Sequence, residues 1–272
     1  MIDSHCHLTF RDFSGRVGET LEEAASRGVT GAITISTTTA DCLEALAVAE
    51  AHENVWCTSG IHPLHSHEGP HEWANLRRVA AHAKCVAWGE LGLDNHYSDP
   101  PREIQDSVLE EQLAFIEGCS PGEDGEGIDL PVVVHCREAF DDLIPVLRAS
   151  ALDTSRMVFH CFTGGADDAR KVLDIGAWIS FTGVVTYKNA PEVREAAELV
   201  PADRIMVETD APFLSPEPHR GVRPCRPAFV RDTAERLAAV RGVPFRTLHE
   251  QLNANTERFF GLPVGAAGGS GS

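Results

Sequence analysis

Met1-Ile2-Asp3-Ser4-His5-Cys6-His7-Leu8-Thr9-Phe10 opens as a β-strand and leaves it without a glycine-rich turn. A doubly wound open sheet usually places a Gly-x-Gly-x-x-Gly phosphate loop after its first strand. Its absence weighs against that architecture and for a barrel. Within the strand, side chains at i, i+2 and i+4 share one face. Asp3, His5 and His7 are therefore expected to point together, with Ser4 and Cys6 turned the other way into packing. Two imidazoles side by side with a carboxylate behind them are the start of a metal site. Two histidines cannot complete one, so further His, Asp or Glu must arrive from elsewhere in the chain.

Beyond residue 10 the same kind of segment recurs. Short apolar, β-branched runs predict strands over 1–7, 29–36, 54–61, 84–90, 130–135, 156–161, 176–181 and 204–208. Amphipathic stretches near 17–27, 39–52, 70–82, 102–118, 137–150, 166–174, 189–199 and 227–241 separate and follow them, and two further helical pieces are expected around 244–252 and 253–260. Leu109, Leu113 and Ile116 show the helical stripe. Pro191 and Pro201 flank one helix. Eight strands, each followed by a helix, in 272 residues predict a single-domain (β/α)8 TIM barrel over 1–263. Ser120 to Gly127 reads as a surface insertion before strand five. Residues 264–272, rich in Gly and Ser, read as an appended flexible linker outside the fold.

Composition bounds the function. No apolar run approaches the roughly 20 residues of a membrane span, and no signal peptide is apparent, so no membrane partner is expected. The eight cysteines form no Cys-x-x-Cys pair, which leaves a zinc ribbon unsupported. Several sit in apolar runs as buried thiols do, and the expected location is a reducing cytoplasm. The formal charge is −18. Wrapping a duplex needs Lys and Arg on the phosphates, so a broad duplex-binding surface is disfavoured. A few nucleotides gripped at a strand end remain compatible. Most of the acid, as at Glu22-Glu23 and Glu110-Glu111, reads as solvated helix faces.

In a barrel the active site forms at the C-terminal ends of the strands. Strand one ends at His5 and His7, strand three runs into Gly60-Ile61-His62-Pro63, and strand four ends Gly89-Glu90. Strand five ends at His135, strand six at His160, and strand eight leads through Glu208-Thr209 to Asp210. Each alone has a bland reading, a structural histidine or a helix cap. Together they place metal-competent groups at one end of the barrel. Four imidazoles and two carboxylates are too many for one tetrahedral ion. They suit two divalent ions roughly 3.5–4 Å apart, with His5, His7 and Asp210 on one, His135 and His160 on the other, and Glu90 bridging. A water between two such ions would become the nucleophile.

These segments resemble the TatD family of metal-dependent hydrolases, within the amidohydrolase superfamily. The matching stretches are Asp3-Ser4-His5-Cys6-His7-Leu8, Gly60-Ile61-His62-Pro63, Gly89-Glu90-Leu91-Gly92-Leu93-Asp94, Pro131 to Arg137, His160-Cys161-Phe162-Thr163-Gly164 and Glu208-Thr209-Asp210-Ala211-Pro212. The resemblance implies His5, His7, Glu90, His135, His160 and Asp210 as ligands, with Glu90 and Asp210 catalytic. It also implies phosphodiester hydrolysis, a DNase trimming single-stranded DNA from its 3′ end. Magnesium or manganese would support activity, and the nitrogen-rich ligand set would also accept zinc. A monomer is the expected state.

Neighbouring residues carry secondary expectations. His62 is expected to bind substrate phosphate or shuttle a proton, with a structural role as the alternative, and Arg137 to clamp a phosphate. The alternative for Arg137 is an ion pair with Glu208 or Asp141. Glu208 and Asp3 are expected to orient ligands rather than bind metal. His65, His67, His71 and His96 read as surface residues. Two departures from the family pattern stand out. Asn95-His96-Tyr97 follows the Gly-Leu-Asp stretch where aromatics are common, and Cys225-Arg226 replaces the usual Asn-Glu. Arg220, Arg223 and Arg226 would form a basic strip for a phosphate backbone. Two rival readings remain. One is a hydrolase of a small ester or amide, or of an aminoacyl-tRNA ester, on the same barrel. The other is a scaffold with a vestigial site. Many binuclear relatives bridge their ions with a carboxylated lysine on strand four; here Glu90 occupies that region.

Overall fold

The computed structural model describes residues 1–122 and 125–263. The reading of 264–272 as a linker, and part of the 120–127 insertion, lie outside the described residues. Eight strands, β1 (Ile2–Cys6), β2 (Gly31–Thr34), β3 (Val55–Ser59), β4 (Cys85–Asp94), β5 (Val132–Arg137), β6 (Met157–Phe159), β7 (Trp178–Phe181) and β8 (Ile205–Val207), pair in parallel and in chain order. Between and after them run α1 (Val17–Ser26), α2 (Asp41–Ala51), α3 (Trp73–Ala80), α4 (Arg102–Cys119), α5 (Phe140–Ala149), α6 (Ala166–Asp174), α7 (Pro191–Leu199), α8 (Val230–Arg241) and α9 (Phe245–Phe260). The barrel closes just past β8. Asp210 N–H donates to the His5 carbonyl at 2.9 Å and His7 N–H to the Ala211 carbonyl at 2.7 Å. Closure therefore joins two stretches that carry site residues. Among the described residues, no helix is long and apolar enough to cross a membrane.

Strand alternation builds two apolar layers. Val132, Val134, Phe159, Ile179 and Phe181 join the layer between strands and helices. Val133, Val158, Trp178 and Ile33 fill the barrel interior. Both faces are covered, so these strands read as unbroken apolar runs. Phe259, Phe260 and Leu262, at and beyond the end of α9, join the interior layer beside Ile2 and Trp178. Helix α9 thus plugs the N-terminal end of the barrel.

Three expectations change in the structure. The expected pieces 244–252 and 253–260 are one helix, α9. Asn255 would favour a break, but its amide donates to the carbonyls of Ala202 and Ile205, each at 2.8 Å, so its polarity is used outside the helix. Strand four, expected to end at Glu90, continues to Asp94. Ser4 does not turn away from the site. The β1–β2 register shifts between Asp3 and Cys6, breaking the two-residue alternation. Ser4 Oγ donates to the Val207 carbonyl at 2.9 Å and lies 3.4 Å from Glu208 Oε2, while Cys6 packs outward as expected.

Helix α4 holds the strand ends from outside. Gln112 accepts from Ile61 N–H at 2.8 Å and donates to the Ile61 carbonyl at 2.9 Å. Gln105 does the same for Asp94, at 2.9 and 3.0 Å. Seven residues separate them, two helical turns, so both face the barrel.

Candidate metal centre

Glu90 is the hub. Its carboxylate is 1% exposed. Oε1 lies 2.7 Å from His135 Nδ1, 2.6 Å from His160 Nε2 and 3.4 Å from His62 Nε2, whereas Oε2 lies 3.4 Å from His5 Nε2. Oε1 thus faces three imidazoles and Oε2 a fourth, that of His5. Glycine permits this placement. A methyl on Gly60 would overlap the backbone of Gly89, and one on Gly89, whose φ is +109°, would overlap the Val133 carbonyl. β3, β4 and β5 can approach closely here because neither position carries a side chain.

On the other side, Asp210 Oδ1 lies 3.3 Å from His7 Nε2 and 3.7 Å from His5 Nε2. Asp210 adopts a left-handed φ of 57°, uncommon outside glycine, and so leaves the line of β8 to face β1. His5 stacks on His160 with centroids 3.8 Å apart and planes within 7°. Three trios bring their donor atoms within 4.8 Å of one another: His5, His7 and Asp210; His5, His160 and Glu208; and His62, Glu90 and His135. The six residues expected as ligands therefore converge, and His62 and Glu208 join them.

The electrostatics divide the histidines. Burial and the neighbouring His160 hold His5 below its usual value. Burial alone would do the same to His160, His7 and His135, but carboxylates outweigh it. Glu90 and Glu208 raise His160, Asp210 raises His7, and Asp94 with Glu90 raises His135. Burial opposes the Glu90 anion, yet it is held well below the usual carboxylate range, above all by His160. Burial lowers His62 to about 4. Its Nδ1 accepts from Leu64 N–H at 3.0 Å, so the neutral ring carries its proton on Nε2, aimed into the site.

The surrounding shell fixes these groups. Glu208 accepts from Cys161 N–H at 2.6 Å and from Ser180 Oγ at 2.6 Å, and lies 3.3 Å from His160 Nδ1. Asp3 accepts from Thr209 N–H at 2.9 Å and Thr209 Oγ1 at 2.6 Å. Burial lifts Asp3 to about 8 against those donors. Asp94 lies 3.0 Å from His135 Nε2 and accepts from His96 and Tyr97 N–H at 2.9 and 3.2 Å. Asp94 is not among the residues expected at the site. The signal was its i+4 spacing from Glu90, which shares a face once the strand is carried on to Asp94.

The other expected substrate residues make their side-chain contacts outside the hub. Arg137 sits over the Tyr97 ring at 5.1 Å. The alternative ion pair is not formed, because Asp141 pairs with Lys171 and Glu208 with His160. Arg220 stacks on Tyr187 at 3.7 Å, and Arg226 pairs with Glu23 at 3.1 Å. Arg223 is exposed and lines a cleft with Arg226, Asp12, Arg16 and Glu19, away from Arg220 on Tyr187. The three arginines do not form one strip. Cys225 is buried, its thiol pushed up to about 12 by that burial. Tyr187 also lines a cleft of about 570 Å³ with Lys188, Arg194 and Arg236, none of which belongs to the imidazole–carboxylate cluster.

The cluster passes a test of fit for metal. His5 Nδ1, His5 Nε2 and Glu90 Oε2 are buried without a hydrogen-bond partner among the described residues. Leaving such atoms unpaired costs about 1–3 kcal/mol each, a cost that a cation between the facing His5 Nε2 and Glu90 Oε2 would remove for those two atoms. Nitrogen and carboxylate donors together are also a suitable set for divalent transition ions and compatible with magnesium.

A parallel eight-stranded barrel with imidazoles and carboxylates converging at its C-terminal mouth defines a metal-dependent hydrolase. The family model described as TatD related DNase matches residues 2–261, and the chain belongs to that family. It is similar to the metal-dependent hydrolase YcfH of Escherichia coli, 38% identical over 263 residues that cover 96% of this chain and 95% of that one. It is also similar to the 3′-5′ ssDNA/RNA exonuclease TatD of Erwinia tasmaniensis, 34% identical over 96% of this chain and 100% of that one. The crystal structure of the TatD homologue YjjV from Escherichia coli superimposes with a TM-score of 0.86 at 31% identity, covering 97% and 98% of the two chains.

Proposed function

We propose that this chain is a two-metal phosphodiesterase that trims single-stranded nucleic acid, DNA in the first instance, from its 3′ end. The observation that carries this reading is Glu90, whose Oε1 faces His135 and His160 while its Oε2 faces His5. His5, His7 and Asp210 would hold one divalent ion and His135 and His160 a second, with Glu90 as a ligand available to both. Magnesium or manganese serves activity, and zinc also suits the donors. When bound, such a pair would activate a water and stabilise charge on the non-bridging phosphate oxygens and the leaving oxygen. The chain supplies the rest. Asp210 accepts the proton of the attacking water at a carboxylate oxygen. Neutral His62 presents Nε2–H to a phosphate oxygen. Glu208 and Asp94 hold the far nitrogens of His160 and His135, fixing ring orientation. The relative from Erwinia tasmaniensis named as a 3′-5′ ssDNA/RNA exonuclease supports the substrate class.

The test is single-stranded DNA labelled at either end, incubated with magnesium, manganese or zinc and with a chelator control. Mononucleotide release from the 3′ end, abolished by chelator, is the expected result. Release of no nucleotide under any metal would overturn the reading in favour of a small ester or amide substrate.

A further inference from the structure

Phe213 is one of five large hydrophobic side chains exposed among the described residues, at 45%. Its place is fixed by the same turn that positions Asp210. Phe213 N–H donates to the Asp210 carbonyl, and Cys225 N–H donates to the Pro212 carbonyl, both at 2.9 Å. The Phe213 ring lies 6.4 Å from the His7 ring and 6.0 Å from Phe10, edge-on to both. Phe10 in turn stacks on His7 at 4.6 Å. Two aromatic rings therefore wall the His7 side of the centre, and one of them holds nearly half its surface in solvent. A phenyl group held beside the chemistry with nearly half its surface in solvent offers apolar area that a ligand can cover.

The charge of the chain narrows the choice of ligand. At −18 the protein gains little from counterion release along a polyanion. Arg226 is committed to Glu23 and Arg220 to the face of Tyr187. Stacking on an aromatic ring depends little on charge, and every base offers a π-face. The geometry points to Phe213, backed by Phe10, as the platform on which the base of the terminal nucleotide stacks. Its phosphodiester would then lie on the His7 and Asp210 side of the centre. The inference rests on the phosphodiesterase reading and adds a positioning residue to it. It also explains a preference for single strands, because a terminal base must leave its partner to lie flat on the ring.

The experiment separates stacking from turnover. A trinucleotide with 2-aminopurine as its terminal 3′ base is titrated with calcium-loaded protein, calcium being chosen to slow hydrolysis. Quenching on binding is expected. Phe213→Ala should weaken binding roughly tenfold, the scale of one base–aromatic stack. Phe213→Trp should retain it, as should Val243→Ala, an exposed apolar control. A strand ending in an abasic residue should bind wild type and Phe213→Ala alike. Equal affinity of wild type and Phe213→Ala for the base-bearing strand overturns the platform, and so does an equal loss on the abasic strand. Magnesium assays of the same strands complete the test. Base-dependent binding without hydrolysis upholds the platform and defeats the phosphodiesterase reading. Hydrolysis with kcat/KM unchanged in Phe213→Ala does the reverse. Neither binding nor hydrolysis defeats both.

Discussion

The two ends of the barrel are made from the same strands and obey opposite rules. At the N-terminal end, Ile2, Trp56 and Trp178 join Phe259, Phe260 and Leu262 in one buried apolar cluster. At the C-terminal end, Glu90, His5, His160 and Glu208 are equally buried but polar, and some of their atoms have no partner. One end lowers the free energy of the fold. The other carries a desolvation cost that only bound cations or a substrate would offset. Stability and chemistry are thereby separated along the barrel axis, and variants at the two ends should fail in different ways.

The sharpest break comes from Glu90→Ala. Turnover should fall by roughly 10³-fold or more, because the shared carboxylate is lost, while circular dichroism shows an intact barrel. Near-native turnover would remove Glu90 from the centre. Phe260→Ala, at the opposite end, should cost about 3–5 kcal/mol of unfolding free energy in urea and leave kcat unchanged. A large loss of kcat at permissive temperature would show that the ends are not independent.

A pH test sharpens the contrast. His62 is lowered to about 4 in the fold from 6.5. The unfolded chain therefore binds more protons between those values, and stability falls as pH drops from 6.5 towards 4. Its ceiling is about 3 kcal/mol from 1.36 kcal/mol per pH unit. In chelator, His62→Asn should flatten that part of the stability–pH curve, and an unchanged slope would assign it to other groups. The smallest effect belongs to the struts. Gln112→Ala should cost about 1–2 kcal/mol by leaving the buried backbone of Ile61 unpaired, with a modest fall in activity through His62. A variant as stable as wild type would make the strut redundant.

Much of the barrel was legible because each strand carries its own apolar signal and each helix its own stripe, and these are local properties. The gathering of His5, His7, Glu90, His135, His160 and Asp210 was legible for a related reason, since in a barrel the end of a strand has a known destination. What escaped was set by tertiary context. Ser4 reaches Glu208 only because the β1–β2 register shifts, which the two-residue period cannot express. Asp94 became visible only once β4 ran past Glu90 to pair with β5. Arg220, Arg223 and Arg226 sit close in sequence but find Tyr187, solvent and Glu23. Proximity along an irregular loop carries no periodicity from which direction can be read.

Gln105 and Gln112 bear on how such a centre tolerates change. A side-chain amide offers the same donor and acceptor as a peptide group, and each of these supplies both to a single backbone residue. Helix α4 acts as a splint laid across the mouth, adding two rungs where no neighbouring strand provides them. The turns after β3 and β4 are then relieved of holding Ile61 and Asp94 in place. The backbone beside His62, and the Asp94 that meets His135, are thereby anchored to a helix outside the site.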